Sequence, residues 1–215
     1  MKKEIACILL AILVSSCTRT RTKIEYWDNG NKKSELNYKN DKMDGICTWW
    51  YVSGIKQMES NYEKNLLDGK TTRWYFSGNL QRIEYYSKNL RNGLTTEYYN
   101  KGKKEAEMNY VNDTLDGVSK EWHENGQLKV VGTYSKGLYD GKWEYWDNNG
   151  IKVGEGNFTK GEGIQKGLYP DGSISREIQY KNNKKNGTEI WYDKNGNITR
   201  KIIFENDRIK QEEKI

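Results

Sequence analysis

Short runs of β-branched and aromatic residues alternate with polar ones along the whole chain, broken at regular intervals by glycine. In the stretch 68–92, Thr71 to Tyr75 reads as a strand rich in β-formers. Phe76-Ser77-Gly78 reads as a tight turn, with glycine where φ must be positive, and Leu80 to Tyr86 as the returning strand. Ser87 to Asn92 then turns into the next hairpin. The turn glycine recurs at Gly30, Gly54, Gly78, Gly102, Gly126, Gly150, Gly172 and Gly196, at steps of 24 residues except one of 22. An aromatic follows eight residues after each: Tyr38, Tyr62, Tyr86, Tyr110, Tyr134, Phe158, Tyr180 and Phe204. A fixed period in this range marks a repeat architecture. The expectation is all-β: an elongated antiparallel meander of about eight stacked hairpins, two strands to each.

Alternation also predicts what the sheet displays. Counting from the Asp-Gly or Asn-Gly pair that opens most units, one slot holds Trp50, Trp74, Tyr98 and Trp122, and the next holds Tyr51, Tyr75, Tyr99 and His123. Adjacent strand residues point to opposite faces, so each face should carry its own aromatic column. In the units holding Tyr145-Trp146 and Trp191-Tyr192 the aromatic pair sits one residue nearer the opening glycine, with a longer turn expected after it. The unit from Gly163 to Asn186 lacks two residues and keeps only Tyr169 of the pair, which predicts a bend or weak joint near Gly154 to Gly167.

Composition narrows the picture. The mean hydropathy is −1.04, yet the chain holds 8 Trp and 16 Tyr, which separates it from disordered sequences. Aliphatic residues are too few for a thick two-layer core. The formal charge of +6 comes from cations and anions interspersed within every unit, so no nucleic-acid stripe is expected. With Cys7 in the leader and Cys17 the expected lipid site, Cys47 has no partner for a disulfide and reads as a small packing residue. His123, the single histidine, occupies a tyrosine slot and reads as a structural substitute. No residues converge as a nucleophile, base or metal set, so neither enzyme activity nor a cofactor is expected.

The N-terminus points to export. Met1 to Ser16 has a basic start, an apolar run from Ile5 to Val14 too short to span a bilayer, and small residues before Cys17. Leu13-Val14-Ser15-Ser16-Cys17 resembles a bacterial lipobox, which implies cleavage before Cys17 and its acylation. Thr18 after the cysteine fits sorting to an outer membrane in a cell that has one. The expected organisation is a leader over 1–16, the acylated cysteine and tether over 17–23, the repeat array over 24–210 and a polar tail over 211–215.

The combination of Asp/Asn-Gly, Trp-Tyr, turn glycine, Glu and Tyr resembles the MORN repeat in its bacterial variant form. Glu35, Glu59, Glu107, Glu155 and Glu177 stand five residues after the turn glycine, where that pattern places them. The resemblance covers about residues 24 to 210. It implies hairpins stacked into an extended sheet and roles in scaffolding, membrane association or protein binding; many bacterial members carry an antitoxin label. Three function classes follow: an envelope-anchored interaction scaffold, a glycan- or peptidoglycan-binding surface, and an antitoxin or immunity-like partner of a toxin protein. The expected partners are a membrane, reached through the lipid, and an envelope protein or glycan. The candidate surface is Trp50, Trp74, Tyr98, Trp122, Trp146 and Trp191, with Tyr51, Tyr75 and Tyr99.

Overall fold

The computed structural model describes residues 18–215, and the leader and Cys17 lie outside the described residues. The rest is one antiparallel sheet of nineteen strands. Each hydrogen-bonded ladder joins neighbours in sequence, from Thr20–Tyr26 against Lys32–Lys39 to Ile198–Glu205 against Arg208–Lys214. The sheet is therefore an open meander, as the periodicity predicts. Lys42–Met43 with Gly45–Trp50, and Leu90–Arg91 with Gly93–Tyr98, each form a single interrupted stave, which leaves seventeen staves where sixteen strands are expected. The extra stave is Arg208–Lys214, which follows the eighth hairpin. Residues 20–23, read as tether, begin the first strand, and Gln211 to Lys214, read as tail, complete the last.

Two kinds of turn join the staves. Along one edge run the glycine turns, in which the Gly54 N–H donates to the Tyr51 carbonyl and the Tyr51 N–H to the Ile55 carbonyl. Gly54 sits at φ 86°, a conformation costly for any residue with a Cβ. The opposite edge carries two-residue tips with both residues at positive φ, such as Lys64 (51°) and Asn65 (72°). Positive φ at both central residues is the geometry whose twist matches that of the flanking strands. These tips lie four residues before the Asp-Gly pairs.

The Asp-Gly pairs are not turns. Asp68-Gly69 lies within the strand Leu66–Trp74. There the register jumps from Tyr62↔Leu67 to Ser60↔Thr71, so Asn61 alone faces three residues. The pair forms a bulge, which the Asn61 amide closes by donating to the Asp68 carbonyl at 2.6 Å. This explains the 22-residue step. In the short unit the register runs from Thr159↔Glu162 to Gly154↔Gly167 without a shift. The two missing residues are the bulge itself. Gly163 is required in its place, because a Cβ there would lie 2.0 Å from the Asn157 carbonyl oxygen.

The expected weak joint holds the densest aromatic cluster. The Tyr139 ring lies 4.8 Å from Trp143, 5.3 Å from Phe158 and 5.4 Å from Tyr134. Gly132 makes room for it, since a Cβ there would sit 2.0 Å from the Trp143 ring. Burial pushes the Tyr134 and Tyr145 phenols well above the usual tyrosine range.

Elsewhere a row of mostly small side chains fills the centre of one face, and Thr48, Thr72 and Thr96 are buried on the other. Directly opposed pairs run Cys47↔Ser60, Ser60↔Thr71 and Thr71↔Glu84, and all four residues are buried. The Thr71 and Ser60 hydroxyls satisfy each other at 3.1 Å. Rings on the same face flank the row, as with Trp49 and Tyr62, whose centroids are 6.3 Å apart. A thin sheet thus buries its centre with few aliphatic residues, in keeping with the low hydropathy. Cys47 is completely buried, and that burial raises its thiol pKa.

Candidate interaction surface

The two aromatic slots have different fates. Tyr51, Tyr75 and Tyr99 occupy the first position of the glycine turns, where the pleat has ended. They do not form a second face. Each hydroxyl instead donates to a backbone carbonyl one repeat on: Tyr51 to Trp74 at 2.9 Å, Tyr75 to Tyr98 at 2.7 Å and Tyr99 to Trp122 at 2.7 Å. Tyr169 reaches Tyr192 at 2.7 Å in the same way, and the Trp27 indole N–H reaches Trp50 at 3.2 Å. Nε2 of His123 lies 2.9 Å from the Trp146 carbonyl, so histidine keeps the tyrosine's role and the proton sits on Nε2. These groups are clips between repeats. The series breaks at Asp147 and Asp193, whose carboxylates accept N–H groups of their own turns. The turns after Trp146 and Tyr192 are no longer than the others, contrary to the count along the chain; aspartate stands where the tyrosine would.

The tip edge is clipped as well. The Asn89 N–H donates to the Leu67 carbonyl at 2.9 Å, and the Leu67 N–H returns to the Asn89 side chain at 2.7 Å. Asn65 with Met43 and Asp207 with Lys185 repeat the exchange.

The other slot is a true face column. Trp50, Trp74, Tyr98, Trp122 and Trp146 end their strands on one face, all half-buried, opposite Lys56, Leu80, Lys104, Leu128 and Lys152. Trp191 does not join them. Tyr192 takes the column position opposite Ile198, and Trp191 lies on the other face with the Arg176 guanidinium 4.7 Å above its ring. Three rings of the column are roofed by lysine ammonium groups. Lys32 lies 5.5 Å from the Trp50 ring centroid, Lys56 5.6 Å from Trp74 and Lys104 5.8 Å from Trp122.

Those lysines explain the recurrent glutamates. Lys32 pairs with Glu35 at 2.6 Å, Lys56 with Glu59 at 2.6 Å and Lys152 with Glu155 at 2.8 Å, and Lys104 pairs with Glu107. The hydrogen bond to Glu107 raises the Lys104 pKa, as the one to Glu35 raises that of Lys32. Solvent and salt screen these exposed pairs, so each contributes little, and each cation over a ring adds a modest attraction. The lysines went unremarked in the sequence reading, although each stands two residues after its turn glycine.

The face is thus a recurring aromatic, lysine and glutamate unit, broken where Leu80 with Ile83 and Leu128 with Val131 replace the charged pair. Among the described residues no group of His, Cys, Asp and Glu is placed to hold a metal ion, and no helix is long and apolar enough to cross a membrane.

Comparison with known proteins gives one family. Its description is MORN repeat variant, and it matches residues 22–40, 67–88, 91–112, 115–136, 161–182 and 185–206, more than half of the chain. Each matched segment spans one hairpin about a glycine turn. The hairpins about Gly54 and Gly150 lie outside the matches but have the same geometry, which brings the repeats to eight. No curated protein matches the chain.

Proposed function

The chain belongs to the MORN repeat variant family, whose repeats are generally protein- and membrane-interaction modules, and from that premise we propose that it is a non-catalytic interaction scaffold held at a cell envelope through an acylated Cys17. The fold of such repeats is typically non-catalytic. Its partner is an envelope protein that engages the Trp50, Trp74, Tyr98, Trp122 and Trp146 face.

One observation carries this reading. The Tyr51, Tyr75 and Tyr99 hydroxyls are consumed by clips, whereas the tryptophan column repeats along a half-exposed face with its own charged groups. Rings of this kind, rimmed by polar groups, are the residue types that anchor protein interfaces. Lysines over three of the rings suit a protein partner better than a sugar, which would need the ring faces bare. Weak contacts copied at a fixed spacing gain strength through avidity.

The test replaces Trp50, Trp74 and Trp122 with serine together. Circular dichroism first establishes that the variant is folded. Wild type and variant are then used to capture partners from envelope extract. Loss of the captured set from the folded variant supports the reading, and an unchanged set refutes it.

A further inference from the structure

The first strand presents a free edge that fits a second copy of itself. The Trp27 N–H donates inward to Asn31, and the Arg19 carbonyl accepts from Asn40, so the backbone groups of alternate residues 19 to 27 face the neighbouring strand. Those of Thr20, Thr22, Ile24 and Tyr26 point outward, and no strand among the described residues pairs with them. Ile24 and Tyr26 are also 40% and 59% exposed. An unpaired edge with apolar side chains is a template for another strand.

Topology restricts what that strand can be. With an odd number of staves, both end strands run in the same direction. Head-to-tail continuation of the array would set them parallel. Antiparallel pairing that keeps the same face up requires a two-fold axis normal to the sheet, which joins like edge to like edge and closes the assembly.

We propose that the chain forms a two-fold dimer through Thr20–Tyr26, with Ile24 opposite Ile24 of the second copy. In this register Thr22 faces Tyr26 of the second copy and Lys23 faces Glu25, each twice. The outward residues become hydrogen-bonded pairs, giving about six bonds between the strands. Lys23 and Glu25 fall at the non-bonded positions, where side chains approach most closely. They already pair within one strand at 2.7 Å, and the dimer completes a square of alternating charge. The far edge offers no equivalent. Arg208–Lys214 has five charged residues in seven. A two-fold axis at Gln211 pairs Lys210 with Glu212 but sets Arg208 against Lys214 and Ile209 against Glu213, on a strand interrupted by a bulge at Lys210, and an axis at Lys210 or Glu212 sets a charge against itself. One edge is therefore self-complementary and the other guarded, which gives a dimer and not a fibre. A seven-residue strand pair buries less than a standard interface, so dissociation is expected at roughly 10–100 μM.

Sedimentation of the full chain in mild detergent, at roughly 5 to 500 μM, tests the proposal. Wild type should pass from monomer to dimer across this range. Lys23→Glu and Glu25→Lys should each raise the midpoint at least about tenfold, by setting two like-charge pairs face to face. The double variant Lys23→Glu/Glu25→Lys should restore it, because the pairs are reversed but intact. Ile209→Lys on the far edge should leave it unchanged. Lys23 and Ile209 are exposed and Glu25 is half-exposed, so near-UV circular dichroism should match wild type throughout. Wild type that stays monomeric, single variants that still dimerise, failure of the double variant to recover, or loss of the dimer in Ile209→Lys would each overturn it.

Discussion

Replacing Tyr75 with Phe removes one hydroxyl and leaves its ring. That hydroxyl donates at 2.7 Å to the Tyr98 carbonyl, which belongs to the next repeat. The site is part-buried, so the orphaned carbonyl recovers only some of its hydration. A hydrogen bond of this kind has a net worth of about 0.5–1.5 kcal/mol, and we take about 1 kcal/mol. That is roughly a fivefold change in a local opening equilibrium. In a linear array each repeat contacts only its neighbours, so the change should stay local. Hydrogen exchange followed by mass spectrometry reads it directly. Amides in 69–111 should exchange about fivefold faster and those in 174–205 should not change. Tyr51→Phe and Tyr99→Phe should move the affected window by one repeat in either direction. Equal acceleration across the whole chain would refute the array, and no acceleration anywhere would refute the clip.

Three other outcomes are expected. Burial raises the Tyr75, Tyr99, Tyr134 and Tyr145 phenols above their ordinary value, so their contribution is complete below about pH 10, the unfolded value, and is lost as pH rises through the folded ones; a urea midpoint unchanged well above pH 10 would contradict this. Gly132→Ala sets a methyl against the Trp143 ring and should cost about 1–3 kcal/mol in urea unfolding, with the Trp143 environment perturbed in near-UV circular dichroism; wild-type stability would show that the cluster is loose. An alkyne fatty acid fed to expressing cells should label the wild-type chain and not Cys17→Ala, and equal labelling would remove the lipid anchor from the proposed function.

The period, the strand content and the glycine turns were legible because each is written in local chemistry that every repeat copies. The hairpin tips were not. Asp-Gly is the louder turn signal, but Asp68-Gly69 forms a bulge, and the true tip is Lys64-Asn65, which carries no glycine. What holds that tip is the stacking of Asn65 on Met43 in the preceding repeat, a contact 22 residues away that no local pattern reveals. The fate of Tyr75 was hidden for the same reason. Strict alternation assigns it to a face, whereas one turn residue takes it off the pleat and sends its hydroxyl to Tyr98. Trp191 and Tyr192 show the opposite failure: the aromatic pair is present, but it is the following residue, Asp193, that reveals which member stands at the strand end.

These contacts bear on where anything can bind. Along the glycine-turn edge, side chains one repeat back occupy the carbonyls of Trp50, Trp74, Tyr98, Trp122, Trp146 and Tyr192. Along the tip edge, Met43, Leu67, Arg91 and Lys185 each have both backbone groups engaged by the next tip. An extended peptide approaching either edge would have to break contacts that hold the repeats together. The faces and the two end strands carry no such burden. A partner that reads the array should therefore read side chains on a face, where the tryptophan column recurs, and a partner that adds a strand should do so at an end, where Thr20–Tyr26 is free and Arg208–Lys214 is guarded by charge.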